Sequence, residues 1–229
     1  MMQMWKAIVY KELRETLWIG ATALVVFGFV VGAFTDAIPQ SMYVRAVVTL
    51  DLAAREPVPF LNDGFPADFL ILAALFAAAL GIRQTLLESV GGTWLVLLNR
   101  PIRFERVVGL KLITGAAIYL VIAALPILWY GCWAAAPGTH ASPFFWSMTW
   151  PTWSTWLSLV VIYLGAFLTG IRPGRWIGSR ALPLAGAIYL VALIQAAPWG
   201  WPMSLAATPV VAVIFVCSIL YVARTRDFS

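Results

Sequence analysis

The chain has 229 residues, of which 62% are apolar and 11% charged, with a mean hydropathy of +0.89 and a formal net charge of +5 at pH 7. A soluble domain carries about 25% charged residues, so this composition excludes an ordinary soluble fold and makes the bilayer the solvent. The positive charge lies mostly in short loops between apolar runs, where it reflects topology and anionic lipid; nucleic acid is not an expected partner.

Residues 1–16 place Trp5, Ile8, Val9, Leu13 and Leu17 at helical spacing, with Lys6, Lys11, Glu12, Arg14 and Glu15 mostly off that stripe. The pattern predicts an amphipathic interfacial helix leading into a first span at 17–35. Its flank mixes acids with bases, and the apolar run exceeds a typical signal-peptide core, so a retained helix is expected. Gly28 and Gly32 stand in GxxxG spacing, which permits close helix approach and is weakly suggestive of a dimer contact. The segment 36–64 follows as an outer loop. Its first half suits a helix on the membrane surface, and its second half, PVPFLNDGFP, is expected to be irregular.

A second span covers 65–87, with Asp68 and Arg83 near its ends. At 1.5 Å per residue these are about 22 Å apart, so both reach toward headgroups. Beyond lies RQTLLESVGGTWLVLLNRPIRFERVVGLK, residues 83–111, which holds five of the 15 basic residues. At its centre Trp94 to Leu98 is an apolar run too short to cross a bilayer. Gly91-Gly92 breaks the preceding helix, Thr93 suits a cap, and Pro101 prevents continuation past Asn99. Val90, Trp94, Leu97 and Leu98 line one face. Burying such side chains is worth roughly 1.5–3 kcal/mol each, so this short helix is expected to rest on a partner or dip into the inner leaflet.

Two tracts lack Asp, Glu, Lys and Arg altogether: Leu112–Ile171, 60 residues, and Ala181–Ala223, 43 residues. A spanning helix takes about 20 apolar residues. The first tract therefore provides spans at 107–131 and 154–171, and the second provides spans at 181–197 and 204–223. Pro126 and Pro209 are expected to kink their helices or mark helix ends. Between spans 3 and 4 an uncharged loop carries Trp146, Trp150 and Trp153 at i, i+4, i+7 spacing. These form either an aromatic belt at the interface or a site guiding an amphipathic substrate. His140 is expected to be an exposed bystander, and Cys132 and Cys217, in no paired spacing, to be packing thiols.

The expected fold is all-α and membrane-integral, one domain over 1–229 with six transmembrane helices. Lys and Arg divide among the seven inter-span segments as 3, 2, 5, 0, 3, 0 and 2, so alternate segments from the N-terminus hold 13 of 15. The positive-inside rule then puts both termini in the cytoplasm.

Missing motifs narrow the function. Mid-span positions lack ionisable residues, so the usual proton relay is absent. A serine-type hydrolase is disfavoured by the single His140 and by the lack of G-x-S-x-G. No HExxH or His/Cys cluster suggests a metal, and no P-loop is present to hold ATP.

Glu88, then Gly92-Thr93, Leu97-Leu98, Pro101, Arg103 and Arg106, then Gly109-Leu110-Lys111, follow a pattern known between two spans of one family. The chain here resembles the permease subunits of ABC-2 type ABC transporters. Lys11-Glu12-Leu13-Arg14-Glu15 is similar to that family's N-terminal helix, and the six-span topology agrees over the whole chain. Family members often carry an acid within the short helix, where this chain has Leu95 and Val96. The resemblance implies that the short helix is a coupling helix seated in a separate ATPase. It further implies two permeases with two ATPases in the cell (inner) membrane, and ATP and magnesium held by the partner. On that reading the ATPase-facing residues are Lys11, Glu12, Arg14, Glu15, Glu88, Gly92, Thr93, Trp94, Leu97, Leu98, Pro101, Arg103 and Arg106. None is catalytic, and the chain needs no cofactor of its own. Export of a hydrophobic or amphipathic substrate is the expected activity. A non-transporting membrane scaffold and an intramembrane lipid-acting enzyme stand as alternatives.

Overall fold

The computed structural model describes residues 2–35, 37–38, 58–90, 104–140, 142–172, 179–197 and 200–225. Those residues form helices and turns with no strand. A spanning chain must satisfy its backbone polar groups internally, and helices do so within each segment. In chain order the helices are α1 (Met2–Phe34), α2 (Phe65–Val90), α3 (Phe104–Ala135), α4 (Trp150–Ser158), α5 (Val160–Ile171), α6 (Leu182–Ala196) and α7 (Gly200–Thr225). A single 3-10 turn, Trp146–Thr149, leads into α4 and makes one rod of Trp146–Ile171. Among the described residues five helical segments are long and apolar enough to cross a membrane: Tyr10–Phe34, Phe65–Leu86, Glu105–Ala135, Trp146–Ile171 and Gly200–Thr225. The protein is a multi-pass, all-helical membrane protein. The fifth of the six expected spans corresponds to α6, whose 15 residues reach about 22 Å at 1.5 Å per residue.

Contacts along the helices fix their directions. Glu12 of α1 meets Lys111 of α3, and Phe34 meets Tyr130 at the opposite ends, so α1 and α3 run parallel. The intervening α2 runs back, with Phe65 against Phe34 and Gln84 beside Glu12. The α4–α5 rod descends beside α3, from Trp156 bonded to Leu120 toward Tyr163 bonded to Gln84. Leu184 of α6 then meets Thr169, and Gln195 meets Ser158. Finally α7 starts at Trp201, stacked on Trp150, and ends at Arg224, paired with Glu105. The start of α1 and the end of α7 therefore lie on one side of the bundle, here the N-terminal side.

The core is built around α5, in which every residue from Val161 to Ile171 is buried. Its approach to α2 depends on small residues. A Cβ at Gly81 would lie 2.6 Å from the Tyr163 carbonyl oxygen, and a Cβ at Gly170 would overlap the Thr85 hydroxyl. Without a hydrophobic force between helices in lipid, such close backbone packing supplies the cohesion.

Several boundaries differ from the sequence expectation. The amphipathic segment 1–16 and the first span are one uninterrupted helix of 33 residues. Neither Gly nor Pro occurs before Gly20 to interrupt it, and Thr16 satisfies its hydroxyl within the helix by donating to the Glu12 carbonyl at 2.7 Å. The rod expected from 154 begins at Trp146, because Pro151 is well placed at the first turn of α4. Of the two roles expected of Pro126 and Pro209, kinking a helix or marking its end, the second does not hold: both lie inside α3 and α7. Cys132 and Cys217 are exposed on the bundle surface instead of packed within it. Gly28 and Gly32 make contacts inside the chain, to Trp129 and Ile38.

On the far side, the Pro/Gly/Asn-rich stretch folds as the irregular cap expected of it. Phe60 takes a positive φ of 65° there, a conformation disfavoured for a bulky residue. Asp63 holds that turn: its carboxylate accepts from the backbone N–H of Phe60 and Phe65 and from the Tyr130 hydroxyl, at 3.0, 3.1 and 2.5 Å. Burial raises the Asp63 pKa above 3.8, and these hydrogen bonds partly oppose the shift. Phe34, Phe60, Phe65 and Tyr130 pack ring on ring above it.

Candidate functional site

The polar chemistry of the bundle concentrates at its N-terminal side. Glu12 on α1 and Lys111 on α3 form an ion pair with side chains only 1% and 2% exposed. Gln84 on α2 donates from Nε2 to Glu12 Oε2 at 3.3 Å. Its Oε1 accepts from the Tyr163 hydroxyl of α5 at 2.8 Å, and that hydroxyl also lies 3.1 Å from the Leu112 carbonyl. Four helices thus meet at one connected set of charge-assisted and neutral hydrogen bonds. Gly115 makes room for it, since a Cβ there would overlap both Gln84 Oε1 and the Tyr163 hydroxyl.

This cluster is a clamp by its chemistry. The ammonium and the carboxylate neutralise each other, which a charge removed from water requires. The amide of Gln84 is used on both ends, as acceptor from Tyr163 and donor to Glu12. Among the described residues no group of three or more His, Cys, Asp or Glu is arranged to hold a metal.

The predicted partner-facing residues distribute unevenly around the clamp. Lys11, Arg14 and Glu15 are accessible on α1, with Lys11 and Glu15 paired at 3.6 Å. Arg106 is exposed on the first turns of α3. Glu12 departs from its expected place at a partner surface: it points into the bundle, because Lys111, Gln84 and the turn to Thr16 all lie on that face. Glu88 belongs to the last turn of α2, and its side chain lies outside the described part. Gly92, Thr93, Trp94, Leu97, Leu98, Pro101 and Arg103 lie outside the described residues.

On the far side, Trp146 and Trp150 are about half exposed and Trp153 is partly buried. Trp150 stacks on Trp201 at 5.6 Å and Trp153 meets Trp156 edge-on at 5.2 Å. His140 is partly buried, its Nε2 2.7 Å from the Ala134 carbonyl at the end of α3.

Sequence reasoning missed Gln84, Tyr163, Asp63 and Tyr130 as structural polar centres. Their one signal was a polar group within a turn or two of an otherwise apolar run. Lys111 was visible only as part of a basic cluster, and its burial follows from the face of α3 it occupies, which meets Glu12 of α1 and Gln84 of α2. Comparison with known proteins returns no matching family model, no matching curated protein and no matching solved structure.

Proposed function

We propose that the chain is the membrane-spanning permease subunit of an ABC-2 type transporter, driven by a separate cytoplasmic ATPase. The observation that carries this reading is the ordered pattern from Glu88 through Gly92-Thr93, Leu97-Leu98 and Pro101 to Lys111. Its position supports the reading further. The pattern bridges α2 and α3, and the clamp ties both helices to α1 and α5 a few residues away. On this reading, motion of the ends of α2 and α3 is passed to α1 and α5 through the clamp.

On this reading the N-terminal side is cytoplasmic, consistent with 13 of 15 basic residues in the alternate segments that include both termini. The accessible Lys11, Arg14, Glu15 and Arg106 flank the ATPase contact, and Glu12 stabilises the helix that presents them. ATP and magnesium belong to the partner chain. Two permeases enclose the route of a hydrophobic or amphipathic substrate, which is exported.

The test places a charge in the apolar run Trp94–Leu98. Trp94→Asp and Leu97→Asp are expected to insert in the membrane normally while abolishing both ATPase co-purification and transport. Full co-purification in both variants would overturn the assignment.

A further inference from the structure

An apolar groove of about 840 Å³ runs between α1 and α3 on the surface of the bundle. Leu13, Leu17 and Leu24 line one wall, and Leu110, Ile113 and Val121 the other. Gly20 lets the helices approach at its floor, where a Cβ would lie 2.7 Å from Ile122 Cδ1. Farther along, beyond the groove, Trp129 lies against Gly28. From Leu13 to Leu24 the groove is about 16 Å long at 1.5 Å per residue. That is half of a hydrocarbon core about 30 Å thick. A spanning helix of a second copy needs a face through both leaflets, whereas one acyl chain needs a single leaflet.

Charge at the N-terminal mouth matches a phospholipid headgroup. Arg106 stands one turn before Leu110 on the same face of α3 and is exposed. The nearby acids among the described residues are engaged: Glu105 with Arg224, Glu12 with Lys111 and Glu15 with Lys11. Neither Arg106 nor Arg14 has an ion-pair partner among the described residues. We infer that the α1/α3 groove is a binding site for an anionic glycerophospholipid of the leaflet on the N-terminal side. One acyl chain fills the groove and the phosphate meets Arg106. The inference stands apart from the transport reading, since it rests on the groove and its charge alone.

The experiment is native mass spectrometry of the full chain released from nanodiscs of equimolar phosphatidylcholine and phosphatidylglycerol. The unaltered chain is expected to retain phosphatidylglycerol preferentially. Ala117→Trp, which fills the groove from an exposed position, should lose the bound lipid, whereas Val213→Trp on the exposed face of α7 should keep it. Arg106→Gln should retain lipid with its preference for phosphatidylglycerol reduced about fivefold, the equivalent of ~1 kcal/mol for one basic residue at an anionic surface. Equal retention in Ala117→Trp and the unaltered chain overturns the site. So does a dimer that Ala117→Trp converts to monomer with bound lipid unchanged, which would assign the groove to a second copy. An unchanged lipid preference in Arg106→Gln overturns the headgroup contact.

Discussion

At the scale of single residues, the Glu12–Lys111 pair decides how the N-terminal side is held. Removing one partner leaves the other charge buried and uncompensated, at a cost of about 3–5 kcal/mol. Glu12→Gln and Lys111→Met are each expected to lower stability on that scale, and the Glu12→Gln/Lys111→Met double variant to recover most of the loss. Thermal unfolding of the four proteins in detergent reads this as a double-mutant cycle. Strictly additive losses would show that the two side chains are not coupled. Glu12 was not legible as a buried residue, because it sits in the charged string Lys11-Glu12-Leu13-Arg14-Glu15. Helical geometry puts Glu12 and Thr16 on one face and Leu13 and Leu17 on another. The polar face is the one turned inward, since the matching polar groups of α2, α3 and α5 wait there.

Among elements, the α2–α5 contact has the least slack. Gly81 and Gly170 bring the two backbones together, and Thr85 Oγ1 bonds to the Gly81 carbonyl at 2.9 Å in the same narrow space. Gly170→Ala must therefore displace Thr85 or part the helices, and overpacking of this kind costs about 1–3 kcal/mol. The expected result is a lowered unfolding midpoint in detergent that Thr85→Ala partly restores. No restoration would place the strain elsewhere. The location of these helices was legible from apolar run length, and Gly64–Phe65 was correctly read as a boundary. Helix ends were less legible. The start of α4 at Trp150 goes with Pro151 in its first turn, and the continuity of α1 with the lack of Gly or Pro before Gly20, features that hydropathy does not register.

For the whole molecule, the directions of successive helices bring the beginning of α1 and the end of α7 to one side, tied through Glu105 to Arg224 and through Lys111 to Glu12. Reporter domains fused before Met1 and after Ser229 are therefore expected to report the same compartment, and on the proposed function that compartment is the cytoplasm. Opposite compartments would contradict the helix order itself. The rod Trp146–Ile171 is buried over 78% of its membrane-length window and Gly200–Thr225 over 17%, so the bundle has a true centre and a lipid-facing flank. Apolar content does not reveal the centre, since the more apolar rod, Gly200–Thr225 with a mean hydropathy of 2.4 against 1.7 for Trp146–Ile171, is the more exposed one. Composition and the length of the apolar runs determined that the protein lives in a bilayer as helices, because runs of about 20 residues match a spanning helix, which satisfies its backbone within each segment. Loop charge likewise predicted a common side for the termini. Tertiary structure decided which helix is central, which charges are inside, and where a groove is left open. Those outcomes depend on which faces meet, and a face is a property of two helices together.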